Sequence, residues 1–472
     1  MTDPALLSLT DLAESIRKRK LSSVEATQAL LARIEQWQPL LNAFVRVDAE
    51  GALRAARNAD AALASGDNAG PLHGVPLAHK DMYYVAGKPA GCGSKIREGW
   101  MAPATASAIA RLEAAGAFSL GALHMAEFAY GPTGHNAYLG PARNPWNPAH
   151  ITGGSSSGSG AAVAARLTYA ALGSDTGGSI RMPAHCCGVT GLKTTSGRIS
   201  RANAMPLSFT LDTVGPLART AEDCAMIAAA IAGPDPLDPV TDKSPLWSDE
   251  LARRGANTLT IGVPSQYYVE GLEPDVAAML DEAIRIFTGL GARIVPVKLP
   301  DQTAVAAAAM VVLAVEAASL HAPWLRTRPQ DYTPQVRNRL ENGLGYSAVE
   351  YLEALRWRGP ALAAHLDAIG DVDIVLAPAS RSAAPTIADT DVGGGPNAEQ
   401  LVVSTMQFMR PVNYLGLPVL TVPAGWSNGL PVGLQLIGRP FGDETCIALG
   451  RAFQQATDHH TRIPLLPQAQ AA

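Results

Sequence analysis

The 472-residue chain has little charge, few aromatics and only five cysteines. Charged residues are 17% of the sequence, aromatic residues 6% and hydrophobic residues 47%. Such a composition excludes an intrinsically disordered chain and calls for a large buried core. The cysteines (Cys92, Cys186, Cys187, Cys224 and Cys446) show neither CxxC spacing nor a disulfide framework. They read as buried thiols in a reducing cytoplasm. The net charge is 37 − 42 = −5, so the chain as a whole lacks the basic footprint of a nucleic-acid or anionic-membrane binder. The first twenty residues include Asp3, Asp11 and Glu14, which no signal-peptide core tolerates. The longest purely apolar run, Ala304 to Val315, is too short to span a bilayer and is expected to be a buried helix. No set of His, Cys and carboxylates has metal-ligand spacing, and His459-His460 is expected at the surface.

What is present is alternation. Ser22-Ser23-Val24-Glu25 is a capping box that opens a helix carrying Leu30, Leu31 and Ile34. Ala52 to Leu63 and Thr105 to Ala115 also read as helices. Short apolar strands are expected at Gly74 to Lys80, Phe118 to Leu123 and Tyr169 to Gly173. The pattern returns late, with strands near 258–263, 293–297, 373–377, 419–422 and 432–437, and helices over 275–290 and 443–455. Residues 300–370 read as helix without strands, and 233–245 as a Pro- and Asp-rich surface connector. Segment 383–399, with Gly393-Gly394-Gly395, reads as a mobile loop. Strand–helix alternation of this kind predicts an α/β fold. At about 150 residues per domain the length allows about three domains, or one large α/β body.

Two segments stand out for chemistry. Gly153-Gly154-Ser155-Ser156-Ser157-Gly158-Ser159-Gly160 runs straight into the small-residue stretch Ala161 to Arg166. A flexible linker rarely does that, and no Gly-Lys-Ser/Thr follows to make a phosphate loop. Gly154-Ser155-Ser156-Ser157-Gly158 formally fits a nucleophile elbow, but the residues before it do not form a strand. The second segment, Ser174-Asp175-Thr176-Gly177-Gly178-Ser179-Ile180-Arg181, fits better. It turns a strand into a helix through two glycines. Backbone N–H groups in such a turn converge into an anion pocket suited to the oxyanion of acyl transfer. Asp175 and Arg181 flank the turn and are expected to brace it as an ion pair. A serine nucleophile needs a base, and Lys80 closes an otherwise apolar strand. Burial that lowers it by about 2–3 pKa units would leave that lysine neutral enough to serve.

Taken together, these residues resemble the amidase signature family of Ser-Ser-Lys hydrolases. The match rests on Gly74-Val-Pro-Leu-Ala-His-Lys80-Asp81, Gly153-Gly-Ser155-Ser156, Asp175-Thr-Gly-Gly-Ser179-Ile-Arg181 and Gly188-Val-Thr-Gly-Leu-Lys193. The later block around Asn413 to Pro418 and Gly429 to Gln435 is also similar. The resemblance implies one domain over 1–472, with a signature core at 65–235 and a helical excursion at about 300–370 over the substrate side. It implies a single large mixed central sheet with helices on both faces. Residue by residue, Ser179 resembles the nucleophile, Ser155 the bridging serine after a cis peptide, and Lys80 the base. Backbone N–H groups of Thr176, Gly177, Gly178 and Ser179 would form the oxyanion hole, with Ser156, Asp175 and Arg181 in support. Small departures occur at Ser157, Gly158, His79 and Thr194, none of which removes a catalytic group.

Substrate choice lies outside the signature. Candidate pocket residues are Tyr130, Gly131, Met82, Ile180, Met205, Leu207 and Phe209. The resemblance implies a stand-alone cytoplasmic hydrolase of amides, esters or carbamates: an aryl acylamidase, an oligoamide hydrolase or a urethanase. It implies no cofactor, no metal, no nucleic-acid or membrane partner, and permits a homodimer. The alternative is a glutaminase like the A subunit of glutamyl-tRNA amidotransferase, which needs partner subunits. Against that alternative stands Ser200-Arg201-Ala202-Asn203, where such a protein typically continues Arg-Tyr-Gly.

Overall fold

Eleven strands join into one mixed sheet in the computed structural model, which describes residues 3–66, 70–390 and 404–465. The strands are β1 (Phe44–Val47), β2 (Pro76–Lys80), β3 (Phe118–Leu123), β4 (Ala170–Asp175), β5 (Thr190–Lys193) and β6 (Thr213–Ala218). They continue with β7 (Thr260–Pro264), β8 (Arg293–Val297), β9 (Ile374–Pro378), β10 (Val419–Ser427) and β11 (Leu430–Gly438). Their spatial order is β1-β3-β2-β4-β6-β5-β10-β11-β9-β7-β8. The expected α/β class and mixed sheet are both present. One buried apolar cluster runs from Ala5 to Phe453, with a smaller one around Ile151, Met182 and Met409.

The strands at the centre are buried throughout: every residue of β2, β4, β5 and β6 is shielded from solvent. Near-continuous apolar runs are what two covered faces demand. Parallel pairing of β2 with β4 sets Ala78 against Ala171 and His79 against Leu172. The next residue of β2, Lys80, therefore comes level with the Gly173-Ser174 end of β4. Both strands end on the same side, where α/β sheets open their crevices.

The Ser22 capping box is complete, with Ser22 accepting from the Glu25 N–H and Glu25 accepting from the Ser22 N–H. The apolar run at 304–315 is part of a longer helix, Gln302–Thr327, than the run alone indicated. By length and composition this helix is apolar enough to cross a membrane. Here it packs against helices Pro334–Gly343, Ala348–Ile369 and Arg410–Leu415, and Val305, Val312 and Ala317 are buried. Within the expected loop at 383–399, Ile387–Thr390 forms a helical turn, and Gly393-Gly394-Gly395 lies outside the described residues. The five cysteines are free and buried. His459 and His460 are half-buried rather than on the open surface, in a turn that follows the C-terminal helix.

Candidate active site

Lys80 ends β2 with its side chain sealed in the protein. Its Nζ donates to Ser155 Oγ at 2.7 Å and to Ser174 Oγ at 2.9 Å. Burial drives this lysine down to about 7, against the opposing pull of the Asp212 and Asp175 carboxylates. A large fraction of such a lysine is neutral near pH 7, as a general base requires. His79, one residue earlier, points to the other face of the pleat. There its Nδ1 accepts the Leu172 N–H at 3.3 Å, and burial pushes it down to about 3.

Ser155 follows a cis peptide bond to Gly154. Ser156 joins its loop to β4: Ser156 Oγ donates to the Ser174 carbonyl and accepts the Ser174 N–H, both at 3.3 Å. The Ser156 N–H in turn donates to the Ser179 carbonyl at 3.3 Å. The two serine-rich segments are thus tied to one strand, even though they lie apart in the chain.

The Thr176–Ser179 turn is built around the Asp175 carboxylate. Asp175 Oδ1 accepts the Gly178 N–H at 2.7 Å, and Oδ2 accepts the Ile180 N–H at 3.1 Å. Arg181 grips both oxygens, through Nε at 3.0 Å and Nη2 at 3.1 Å, with both side chains fully buried. Burial alone would push Asp175 up, but the Arg181 guanidinium and the Asn413 amide hold it well below the usual carboxylate range. Arg181 also donates to Gln435 Oε1 at 2.9 Å and to the Met409 carbonyl at 3.0 Å. A buried ion pair with this many hydrogen bonds fixes geometry more surely than it adds net stability. Gly178 has φ +128, and a Cβ there would lie 2.5 Å from Met406 Cε and from Met409 Sδ.

Ser179 lines a tight cavity of about 50 Å³, with Thr176 and Gly177 beside it. Tyr130, Gly131 and Leu207 form part of the wall, together with Leu313, Met406, Arg339 and Arg410. Leu313 and Arg339 come from the helical segment at 300–370, which therefore reaches this cavity. Arg339 donates to the Tyr130 carbonyl at 2.6 Å.

Other expected positions lie elsewhere. The Gly178 N–H is committed to Asp175, so it does not face the cavity as an oxyanion donor. Ile180 is fully buried as the residue before helix Arg181–Cys187 and packs toward Gly191 of β5, not into the cavity. Met82, Met205 and Phe209 line a neighbouring cavity of about 230 Å³, reached from the Ser174 and Asp212 side. Phe209 stands at its mouth, 47% exposed. Sequence reasoning missed Ser174, Asp212, Met406 and Arg410, and did not single out Leu313 and Arg339 within the helical segment expected over the substrate side. Ser174 carried a usable signal, since it sits at the end of the strand paired with that of Lys80.

A buried lysine thus meets the hydroxyls of Ser155 and Ser174, and Ser179 stands at the wall of a cavity on a glycine turn. The chain belongs to the amidase family, whose family model matches residues 25–447. Among its relatives is the A subunit of the glutamyl-tRNA(Gln) amidotransferase of Geobacter metallireducens, 40% identical over 482 residues, or 97% of this chain and 98% of that protein. A solved structure, described as a vestigial protein complex that reveals the evolutionary origins of an s-triazine catabolic enzyme, is 37% identical with TM-score 0.89. That match covers 98% of this chain and 100% of the other. A peptide amidase solved with the competitive inhibitor chymostatin is 29% identical with TM-score 0.86, covering 97% and 98%.

Proposed function

We propose that the protein hydrolyses a carboxamide C–N bond through an acyl-enzyme on Ser179. The supporting observation is the 2.7 Å contact between Ser155 Oγ and a buried Lys80 that burial drives down to about 7. In this mechanism Lys80 takes the Ser155 proton while Ser155 takes the Ser179 proton. Ser179 Oγ attacks the carbonyl carbon, and backbone N–H groups of Thr176, Gly177 and Ser179 hold the oxyanion. The relay then runs backward, delivering the proton to the leaving nitrogen as the C–N bond breaks. Water, deprotonated by the same relay, cleaves the acyl-enzyme and restores Ser179.

Two acyl donors fit this chemistry. An apolar acyl or aryl amide, with esters and carbamates alongside, is supported by Tyr130, Leu207, Leu313 and Met406 on the cavity wall. In that case the protein is a stand-alone cytoplasmic aryl acylamidase or urethanase. Glutamine is supported by the relatives named as the A component of the amidotransferase, at 40% identity over nearly the whole chain. The comparisons weigh toward this second donor, with partner proteins receiving the ammonia.

The test is a hydrolysis panel of glutamine, a nitroanilide, an aryl carbamate and a short oligoamide, run on wild type and Ser179→Ala. The variant is expected to lose about 10³–10⁶-fold in kcat and all labelling by a fluorophosphonate. Equal turnover in the variant would overturn the relay. Turnover of the anilide or carbamate selects the first donor, and ammonia release from glutamine alone selects the second.

A further inference from the structure

A cavity of about 490 Å³ is lined by residues from both terminal segments, among them Leu6 and Ile463. It sits at the ends of β4 and β6 opposite the catalytic turn. Arg166 precedes β4 and Arg219 follows β6, whereas Asp175 and Thr213 mark the other ends of this pair. Six residues of strand separate the two ends by about 20 Å.

Arg166 and Arg219 both line this cavity and are only 5% and 4% exposed. Among the described residues neither makes an ion pair, although their neighbours do. Arg33 pairs with Asp3 at 3.6 Å, and Arg451 with Glu222 at 2.8 Å. The Arg166 head donates only to the carbonyls of Val163, Ala164 and Arg462. The Arg219 head donates to those of Ala5 and Leu7. The Nε of each lacks a hydrogen-bond partner. The buried Asp223 carboxylate opposes both charges; its Oδ1 accepts the N–H and hydroxyl of Thr10, and its Oδ2 has no hydrogen-bond partner. Burial, with the neighbouring Arg219 and Arg33 charges, pushes Arg166 down to about 9, and burial pushes Arg219 down to about 10 against the opposing Asp223 carboxylate.

Buried charges are normally paired, because desolvating an unpaired one is costly. The lining sets Arg166, Arg219 and Arg451 against the carboxylates of Asp11 and Glu222, of which Glu222 is already paired with Arg451, so positive charge is in excess at the wall of this cavity. Arg219 also lies over the Tyr169 ring at 5.2 Å. The planar forks of Arg166 and Arg219 match carboxylate and phosphate oxygens. The volume suits a small metabolite rather than a bare ion.

We propose that this cavity is a binding site for a small oxyanion, a phosphate- or carboxylate-bearing metabolite held against Arg166 and Arg219. The proposal stands apart from the chemistry at Ser179. Isothermal titration calorimetry on the full chain, in chloride buffer at fixed ionic strength, tests it with inorganic phosphate and, separately, citrate. A saturable one-site isotherm is expected with at least one of them, and which one responds tells phosphate from carboxylate. The arginines hold backbone carbonyls, so the informative variant is Gln455→Glu. Gln455 is exposed on the cavity wall, and the change adds a carboxylate at constant volume. It is expected to weaken binding by about tenfold or more. No saturable binding of either anion to wild type overturns the proposal, as does an unchanged isotherm in Gln455→Glu.

Discussion

Lys80 and Lys193 end two central strands of the same sheet, both buried, and burial drives each to about 7. Their partners differ. Lys80 Nζ meets two hydroxyls, of Ser155 and Ser174. Lys193 Nζ meets two carbonyls, of Thr194 at 2.8 Å and Leu417 at 2.7 Å. A hydroxyl can surrender a proton to a neutral amine, whereas a carbonyl can only accept a hydrogen bond. A lowered lysine is therefore not by itself a base. The chemistry of the group it touches decides whether the shift serves catalysis or is only the cost of burial.

The sharpest way to break this comparison is substitution at Lys80. Lys80→Met is expected to lower kcat by about 10³-fold while the protein stays folded, as read by turnover beside circular dichroism. Full activity would make the two lysines equivalent. Lys193→Met should act on the fold instead. It strands two buried carbonyls at a cost of about 2–4 kcal/mol in urea unfolding, with kcat of the folded fraction within about threefold of wild type. Loss of kcat in a stably folded Lys193 variant would erase the distinction.

pH refines the comparison with a smaller effect. An unfolded lysine keeps its proton up to 10.5, while the folded lysines lose theirs near 7. Across that window the unfolded state binds more protons. Stability therefore rises with pH, and it is lost as pH falls toward 7. Each lysine contributes about 1.4 kcal/mol per pH unit. Urea unfolding between about pH 8 and 9.5 should show the slope reduced by one proton in either lysine variant. The rise of kcat/KM through a limb near pH 7 should persist in Lys193→Met, because the proposed relay assigns it to Lys80.

Much of this architecture was legible in the sequence, since local signals coincide with the fold. Lys80 closes an apolar strand, Gly177-Gly178 make the turn, and Asp175 and Arg181 are near enough in sequence to find each other. The Ser174 contact was not legible, because it depends on the register of β2 against β4, which no local pattern states. Part of the cavity wall, beyond Tyr130, Gly131 and Leu207, was missed for the same reason. Leu313, Arg339, Met406 and Arg410 arrive from segments more than a hundred residues beyond Ser179. Ile180 was misplaced because the first turn of its helix faces the sheet, where Gly191 leaves room for a branched side chain. The Gly178 donor was miscounted because spacing counts N–H groups without showing that a carboxylate has already claimed one.

Gly178 also bears on how this protein can be changed in the laboratory. With φ +128 and two methionine side chains where a Cβ would stand, the position admits no other residue without moving Met406 and Met409. Mutant libraries that randomise the turn would therefore be filled with inactive clones. The same effort spent on Leu207, Leu313 and Tyr130 varies the wall of the cavity beside Ser179 and leaves the turn intact. Selection for a new substrate should accordingly accumulate changes on the helices and loops around the turn, with Asp175 to Arg181 unaltered.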